Sequence, residues 1–272
     1  MAKSRAQKKR AERKPVVRRR QPLTRALRLL SWMVDAKQRS LGVREIATGL
    51  ALPASTAHHM LTALVQEGMI TQNDGGQYAL GLEFYRLAMR AANRWPLQTI
   101  ATPHLQRLVA ECNESAFLGV YDRSRGAMMF VALVQSSHPL RYAVELNRWL
   151  PLHSGATGLG ILSFLPEDEA MAIIKSRRLD RFTSRTLTEP DALLASMRKI
   201  AKVGYACTTG QRVEGAVAIA APVWGNDGVI GDVVVTLPEQ RFNSRIEAKL
   251  ARLAVNCAAE ITDDIGGRPR AR

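Results

Sequence analysis

Residues Gly49-Leu50-Ala51-Leu52-Pro53-Ala54-Ser55-Thr56-Ala57-His58-His59-Met60-Leu61 decide the fold of the N-terminal part of the chain. Gly49 to Pro53 reads as a tight turn, and a helix opens after Pro53. Ala57, Met60, Leu61, Leu64 and Val65 recur at three- and four-residue steps, so that helix buries one face, and Gly68 ends it. Upstream, Val43, Ile46, Ala47 and Leu50 mark a short helix, with Gly42 at its N-cap and Glu45 three residues on. Beyond a polar break from Asp35 to Ser40, Leu23, Ala26, Leu27, Leu30, Met33 and Val34 mark another helix. Downstream, Met69-Ile70-Thr71 and Tyr78-Ala79-Leu80 flank Asn73-Asp74-Gly75-Gly76, a strong hairpin signal. Helix, helix, tight turn, helix and small hairpin is the order of a winged helix-turn-helix.

The helix after the turn presents Ser55, Thr56, His58, His59 and Thr62 outward. Short polar side chains at a helix N-terminus let the backbone approach phosphates and groove edges of duplex DNA. Arg25 and Arg44 are candidates for phosphate contacts. Gln77 and Asn73 either reach the minor groove or only form the wing turn. Residues 22–90 carry a net charge of only +2. The basic charge sits elsewhere: of the chain's formal +15, residues 1–21 hold +9 and the last five residues +3. The first stretch reads as a disordered basic arm and 266–272 as a basic tail.

The rest of the 272 residues is long enough for a second domain with its own core. Glu83 to Arg94 reads as a linker helix, broken at Trp95-Pro96. A helix over 97–112 leads to strands at 116–121, 127–135 and 140–146. Helices follow at 156–164, 167–176 and 190–203, then strands at 205–209, 215–223 and 228–236, and a closing helix from Ser244 to Ile265. This is an α+β domain built on an antiparallel sheet.

Several stretches resemble the IclR family of bacterial transcription regulators. In the N-terminal part they are Ala26-Leu27-Arg28-Leu29-Leu30, Arg44-Glu45-Ile46-Ala47, the 49–61 segment, Glu67-Gly68 and Tyr78-Ala79-Leu80-Gly81. Farther on they are Arg141-Tyr142, Pro151-Leu152-His153-Ser154-Gly155-Ala156-Thr157-Gly158, Phe182-Thr183 with Thr186-Leu187-Thr188, Gly204-Tyr205-Ala206, Ala220-Ala221-Pro222-Val223 and Asn226-Asp227-Gly228. The likeness runs from about residue 22 to 262. It implies a winged helix-turn-helix DNA-binding domain (22–82), a linker helix (83–95) and a GAF-like effector-binding domain (96–265). It further implies operator DNA as partner, homodimers through the winged-helix and linker region, and homotetramers through the effector domains. A small organic acid or aromatic metabolite would bind Ser154, Gly155, Ala156, Thr157, Gly158, Thr208, Ala218, Val234 and Thr236. Some family members carry Cys or Ser where this chain has Ala218 and Val234, so no particular acid carries over. At His59 many members carry an arginine that reads the major groove. Met128, Met129, Phe130 and Trp149 could line an aromatic-sized pocket, though ordinary core is the simpler reading.

The residues themselves give little sign of catalysis. His153-Ser154 lies outside any G-x-S-x-G elbow, and Gly155, Gly158 and Gly160 form neither a dinucleotide fingerprint nor a Walker loop. His58 and His59 diverge by about 100° on a helix and make a poor metal clamp. Asp263-Asp264 reads as solvated, and Cys207 as a candidate pocket or redox thiol, with a buried inert thiol the simpler reading. Cys112, Cys207 and Cys257 are far apart, which argues against a disulfide framework and a structural zinc site. No cofactor is expected. Apolar runs fall short of the ~18–20 residues of a membrane span, and no apolar run follows the basic arm as in a secretory signal. The reading is a cytoplasmic regulator; a metabolite-binding enzyme and a ligand-blind architectural DNA binder are the rivals.

The arm generates a direct expectation. A chain starting near Gln21 should bind every DNA sequence more weakly and show a flatter salt dependence, because each phosphate contact contributes about 0.9 to the log–log slope. Titrations at several salt concentrations check this; unchanged affinity and slope would refute a role for the arm.

Overall fold

The computed structural model describes residues 22–142 and 144–269. The basic arm (1–21) and the end of the basic tail lie outside the described residues. The chain divides at Arg94/Trp95 into two compact units.

The first unit contains helices α1 (Pro22–Asp35), α2 (Val43–Gly49) and α3 (Ala54–Gln66), strands β1 (Ile70–Gln72) and β2 (Tyr78–Leu80), and helix α4 (Leu82–Ala92). Glu45 reaches back to accept the Gly42 N–H at 2.7 Å, which fixes the start of α2. Leu52 N–H donates to Ala47 O at 2.8 Å and holds the turn into α3. β1 and β2 pair antiparallel, Ile70 opposite Leu80, and Leu41 adds a bridge to Tyr78. The core joins Leu29, Leu30, Met33, Leu41, Ile46, Leu61, Ile70 and Tyr78.

Two expectations shift here. In α1 the buried stripe is Leu29, Leu30 and Met33, whereas Leu23, Leu27 and Val34 are 68%, 58% and 51% exposed. A helix this apolar has two stripes at helical spacing, and the unit covers only one. The linker helix is part of the first unit, and none of its residues is buried. Leu82, Tyr85, Leu87 and Met89 stand exposed along it.

The second unit contains α5 (Pro96–Cys112), β3 (Ser115–Asp122), β4 (Ala127–Val134), β5 (Leu150–Pro151), α6 (Gly155–Phe164), α7 (Glu167–Ser176), α8 (Pro190–Val203), β6 (Ala206–Thr209), β7 (Ala216–Gly225), β8 (Gly228–Pro238) and α9 (Ser244–Asp264). The sheet runs β5-β4-β3-β8-β7-β6, every pair antiparallel. Alternating side chains build a core on each face. Leu118, Val233 and Val235 meet α5 and α9; Phe117, Met128 and Val234 meet α6 and α8.

No strand forms among the described residues of the expected 140–146 strand. Residues 140–142 and 144–146 lie outside regular structure ahead of β5, with Leu140 exposed and Val144 and Leu146 packed on the α6-side core. The period-two pattern is satisfied by leaning on the sheet face, and Pro139 at the start of the segment has no N–H for a ladder. Asn147 N–H donates to Phe130 O at 2.7 Å where the loop turns back to the edge. Asp264 is also not simply solvated: its carboxylate lies 2.7 Å from His104 Nε2, and Glu260 lies 2.8 Å from Nδ1. These contacts tie α9 to α5.

Asp232 departs from the pattern of the sheet. It is fully buried on β8, opposite Gly119 and Pro222, and neither carboxyl oxygen has a hydrogen-bond partner among the described residues. Burial pushes its carboxyl well above the usual range. The unfolded chain ionises near pH 4 and the native one only far higher, so this group makes the fold less stable as pH rises from about 4. Asp232→Asn should therefore melt above the native chain at about pH 8 and close to it at about pH 4, with a flatter pH profile. Parallel pH profiles in circular dichroism melts would contradict this.

Candidate functional site

Two surfaces gather the residues singled out by the sequence, one in each unit. In the first, α3 sinks Ala57 and Leu61 into the core and half-buries Met60, Leu64 and Val65. Rotation of about 100° per residue then turns Ser55, His58, His59 and Thr62 to solvent, with Thr56 half-buried. No acidic side chain lies on this helix, and no side chain caps its first turn, so its N–H groups face outward unopposed. The imidazoles of His58 and His59 stand edge-on, 6.4 Å apart. The Thr62 hydroxyl donates to His58 O at 3.0 Å, so part of its capacity is used within the helix. Arg44 is exposed on α2. Arg25 is half-buried on α1, with its Nε buried and lacking an acceptor among the described residues. Gln77 sits in the wing turn: its side chain accepts from Ser40 Oγ at 3.2 Å, and its N–H donates to Asn73 Oδ1 at 2.9 Å.

In the second unit, all nine expected ligand contacts line a single cavity of about 530 Å³. Helix α6 makes this possible. Every residue from Gly155 to Ser163 is buried, so the helix runs inside the domain with its N-terminus at the cavity. Gly155 has φ +79°, a conformation that disfavours a side chain. At Gly158 a Cβ would sit 2.3 Å from Leu152 O, so only glycine lets the helix approach the preceding segment. Ser154, at the N-cap, makes no capping bond, which leaves the first-turn N–H groups without that partner. Thr208, Ala218 and Thr236 are side by side across β6, β7 and β8 and form the floor. The Thr236 hydroxyl is buried and has no hydrogen-bond partner among the described residues.

The cavity also contains residues that sequence reasoning missed: Tyr142, Arg148, Phe182, Gln211 and Arg212. Arg212 Nη1 donates to Ser154 Oγ at 3.2 Å, and its guanidinium lies 4.4 Å above the Phe182 ring. A cation in the Gly210–Gly215 loop between two strands was the available signal. Met128, Phe130 and Trp149 line the cavity, whereas Met129 points to the opposite core, as strand alternation requires. Another cleft of about 610 Å³, beside Tyr121, Phe164 and Trp224, contains none of the expected residues.

Burial pushes the Cys207 and Cys257 thiols up to about 12, which keeps them protonated and unreactive. Among the described residues, no three His, Cys, Asp or Glu side chains could hold a metal ion, and no helix is long and apolar enough to cross a membrane.

Comparison with known proteins places these two surfaces in context. The family described as "Bacterial transcriptional regulator IclR C-terminal" matches residues 89–263, and "IclR helix-turn-helix domain" matches residues 22–74. The chain is 30% identical over 250 residues to the glycerol operon regulatory protein of Streptomyces coelicolor, covering 90% of this chain and 96% of that one. It is 28% identical over 228 residues to the HTH-type transcriptional regulator KipR of Bacillus subtilis, covering 84% and 90%. A crystal structure of an IclR homologue from Microbacterium hydrocarbonoxydans, complexed with 4-hydroxybenzoate, superposes with a TM-score of 0.77 at 24% identity, covering 90% and 99%.

Proposed function

The chain belongs to the IclR family of bacterial transcription regulators, with a DNA-binding helix-turn-helix domain and an effector-binding C-terminal domain, and from that premise we propose how its residues divide the work. Helix α3 enters the major groove, with Ser55, His58 and His59 at base edges or adjacent phosphates. Arg44 contacts phosphate from α2, and the wing approaches the backbone beside it. The apolar surface left open on α1 and α4 is covered by a second copy, so the heads act as a dimer on inverted half-sites. The second units then join dimers into tetramers. The protein works in the cytoplasm.

The cavity of the second unit takes a small organic acid or aromatic metabolite. The observation that carries this is the single space in which a helix N-terminus, its first N–H 3.4 Å from Gln211 Oε1, hydroxyls and apolar side chains converge. A relative of the same fold holds 4-hydroxybenzoate, an aromatic acid of fitting size. No motif calls for catalysis, so the ligand acts by favouring one arrangement of the DNA-binding heads over another.

Selection of sheared genomic DNA by the purified protein at about 150 mM salt tests the DNA reading, because weak phosphate binding is suppressed there. A few sites with inverted half-sites are expected. On those sites His59→Ala should cost about 1–3 kcal/mol of preference over unrelated DNA. Arg44→Ala should weaken binding to both DNAs alike and lower the salt slope by about 1. Recovery without a motif would favour an architectural binder.

A further inference from the structure

One cation of the cavity lining has no ion-pair partner among the described residues. The charged lining residues are Glu145, Arg148, Asp180 and Arg212. Arg148 pairs with Glu145 at 2.8 Å, and Asp180 pairs with Arg178 at 3.1 Å. Arg212 is different. Among the described residues its partners are a neutral hydroxyl, Ser154 Oγ, and the face of Phe182, and no carboxylate lies within ion-pair distance. It is half-buried, and burial together with the Arg148 guanidinium lowers its pKa, which marks an uncompensated cation. A guanidinium stays charged at any physiological pH, so the charge must be met from outside.

Its placement gives the charge a direction. A Cβ built on Gly155 would lie 3.5 Å from Arg212 Cβ, so the side chain starts beside the first turn of α6. An oxyanion there meets the guanidinium, the Ser154 hydroxyl and the helix N-terminus together. The floor offers hydroxyls instead of cations: Thr236 Oγ1 is buried without a partner among the described residues, and Thr208 is two strands away in the same row. Met128, Phe130 and Trp149 supply the apolar wall.

We infer that Arg212 is the specificity-determining residue of this cavity, pairing with the single carboxylate of a monoanionic ligand whose neutral polar end rests on the Thr208–Thr236 floor. This rests on the reading of the cavity as the effector site. The orientation places carboxylate recognition on the 210–215 loop, and it makes one negative charge, not two, the condition of binding.

Calorimetric titration of the full chain with 4-hydroxybenzoate, 4-hydroxybenzamide and terephthalate tests it. The native protein should bind the monoacid roughly 10- to 100-fold more tightly than the amide or the diacid, the range of a charge-assisted hydrogen-bonded pair. Arg212→Gln should lower acid affinity far more than amide affinity, so that the difference between the two largely disappears. Arg212→Lys retains the charge but loses the fork; it should weaken the acid several-fold and the amide less, and it serves if the Gln variant does not fold. Equal native affinity for acid and amide, tighter binding of the diacid, or a variant that loses acid and amide in parallel would overturn the inference and leave the cavity reading standing. Failure of the native protein to bind either 4-hydroxybenzoate or its amide would overturn the aromatic-acid reading, and this inference with it.

Discussion

The close approach of helix α6 to the inside of the second unit is the constraint on which the ligand site depends. A helix buried along nine consecutive residues cannot carry bulky side chains on every face. Gly155, Ala156, Gly158 and Gly160 provide the slimness, and at Gly158 the backbone of Leu152 leaves no room for a methyl group. The helix therefore lies on the sheet with its N-terminus inward, toward the 210–215 loop. The cavity is the space this arrangement leaves between that N-terminus, the β6–β8 floor and the 140–149 loop. Its polarity follows from the same geometry. Backbone N–H groups gather at one point, and the sheet presents alternate side chains, so hydroxyls and valine share a face while Val233 and Val235 go to the other core.

The first unit solves a different problem with the same economy of core. Ten buried apolar side chains among the described residues hold three short helices and a hairpin, and α3 has only one face to spare for them. Its opposite face bears two histidines and no acidic side chain, which suits contact at short range. Residues 1–21 hold +9 of the chain's charge, and we assign the long-range attraction to them. Affinity and discrimination thus draw on different parts of the chain: phosphate attraction falls with salt, whereas groove contacts depend on fit.

Much of this was legible in the sequence, and the exceptions have physical causes. The turn at Gly49–Pro53, the Gly42–Glu45 cap and the Asn73–Gly76 hairpin are local, so short-range chemistry sets them. The nine cavity residues came from the resemblance, which carries positions across a common fold. Arg148 and Arg212 escaped because a cation in a loop looks like any solvated side chain until the fold closes over it. Residues 140–146 alternate like a strand, yet that pattern is equally served by a loop that leans on a sheet. Leu23, Leu27 and Val34 are periodic like core residues but stand exposed, because periodicity records that a stripe wants cover and not which surface covers it. Asp264 looked solvated because its partner, His104, is 160 residues away.

The central claim is that ligand in the cavity and DNA on α3 bias one equilibrium. Coupling of this kind is reciprocal and worth about 1–3 kcal/mol in typical cases. The most direct measurement is the affinity of the full chain for its selected inverted repeat, with and without saturating monocarboxylate, alongside ligand affinity with and without that DNA. The account expects both to change by the same factor, roughly 5- to 150-fold. DNA affinity that is indifferent to a ligand shown to occupy the cavity would contradict it.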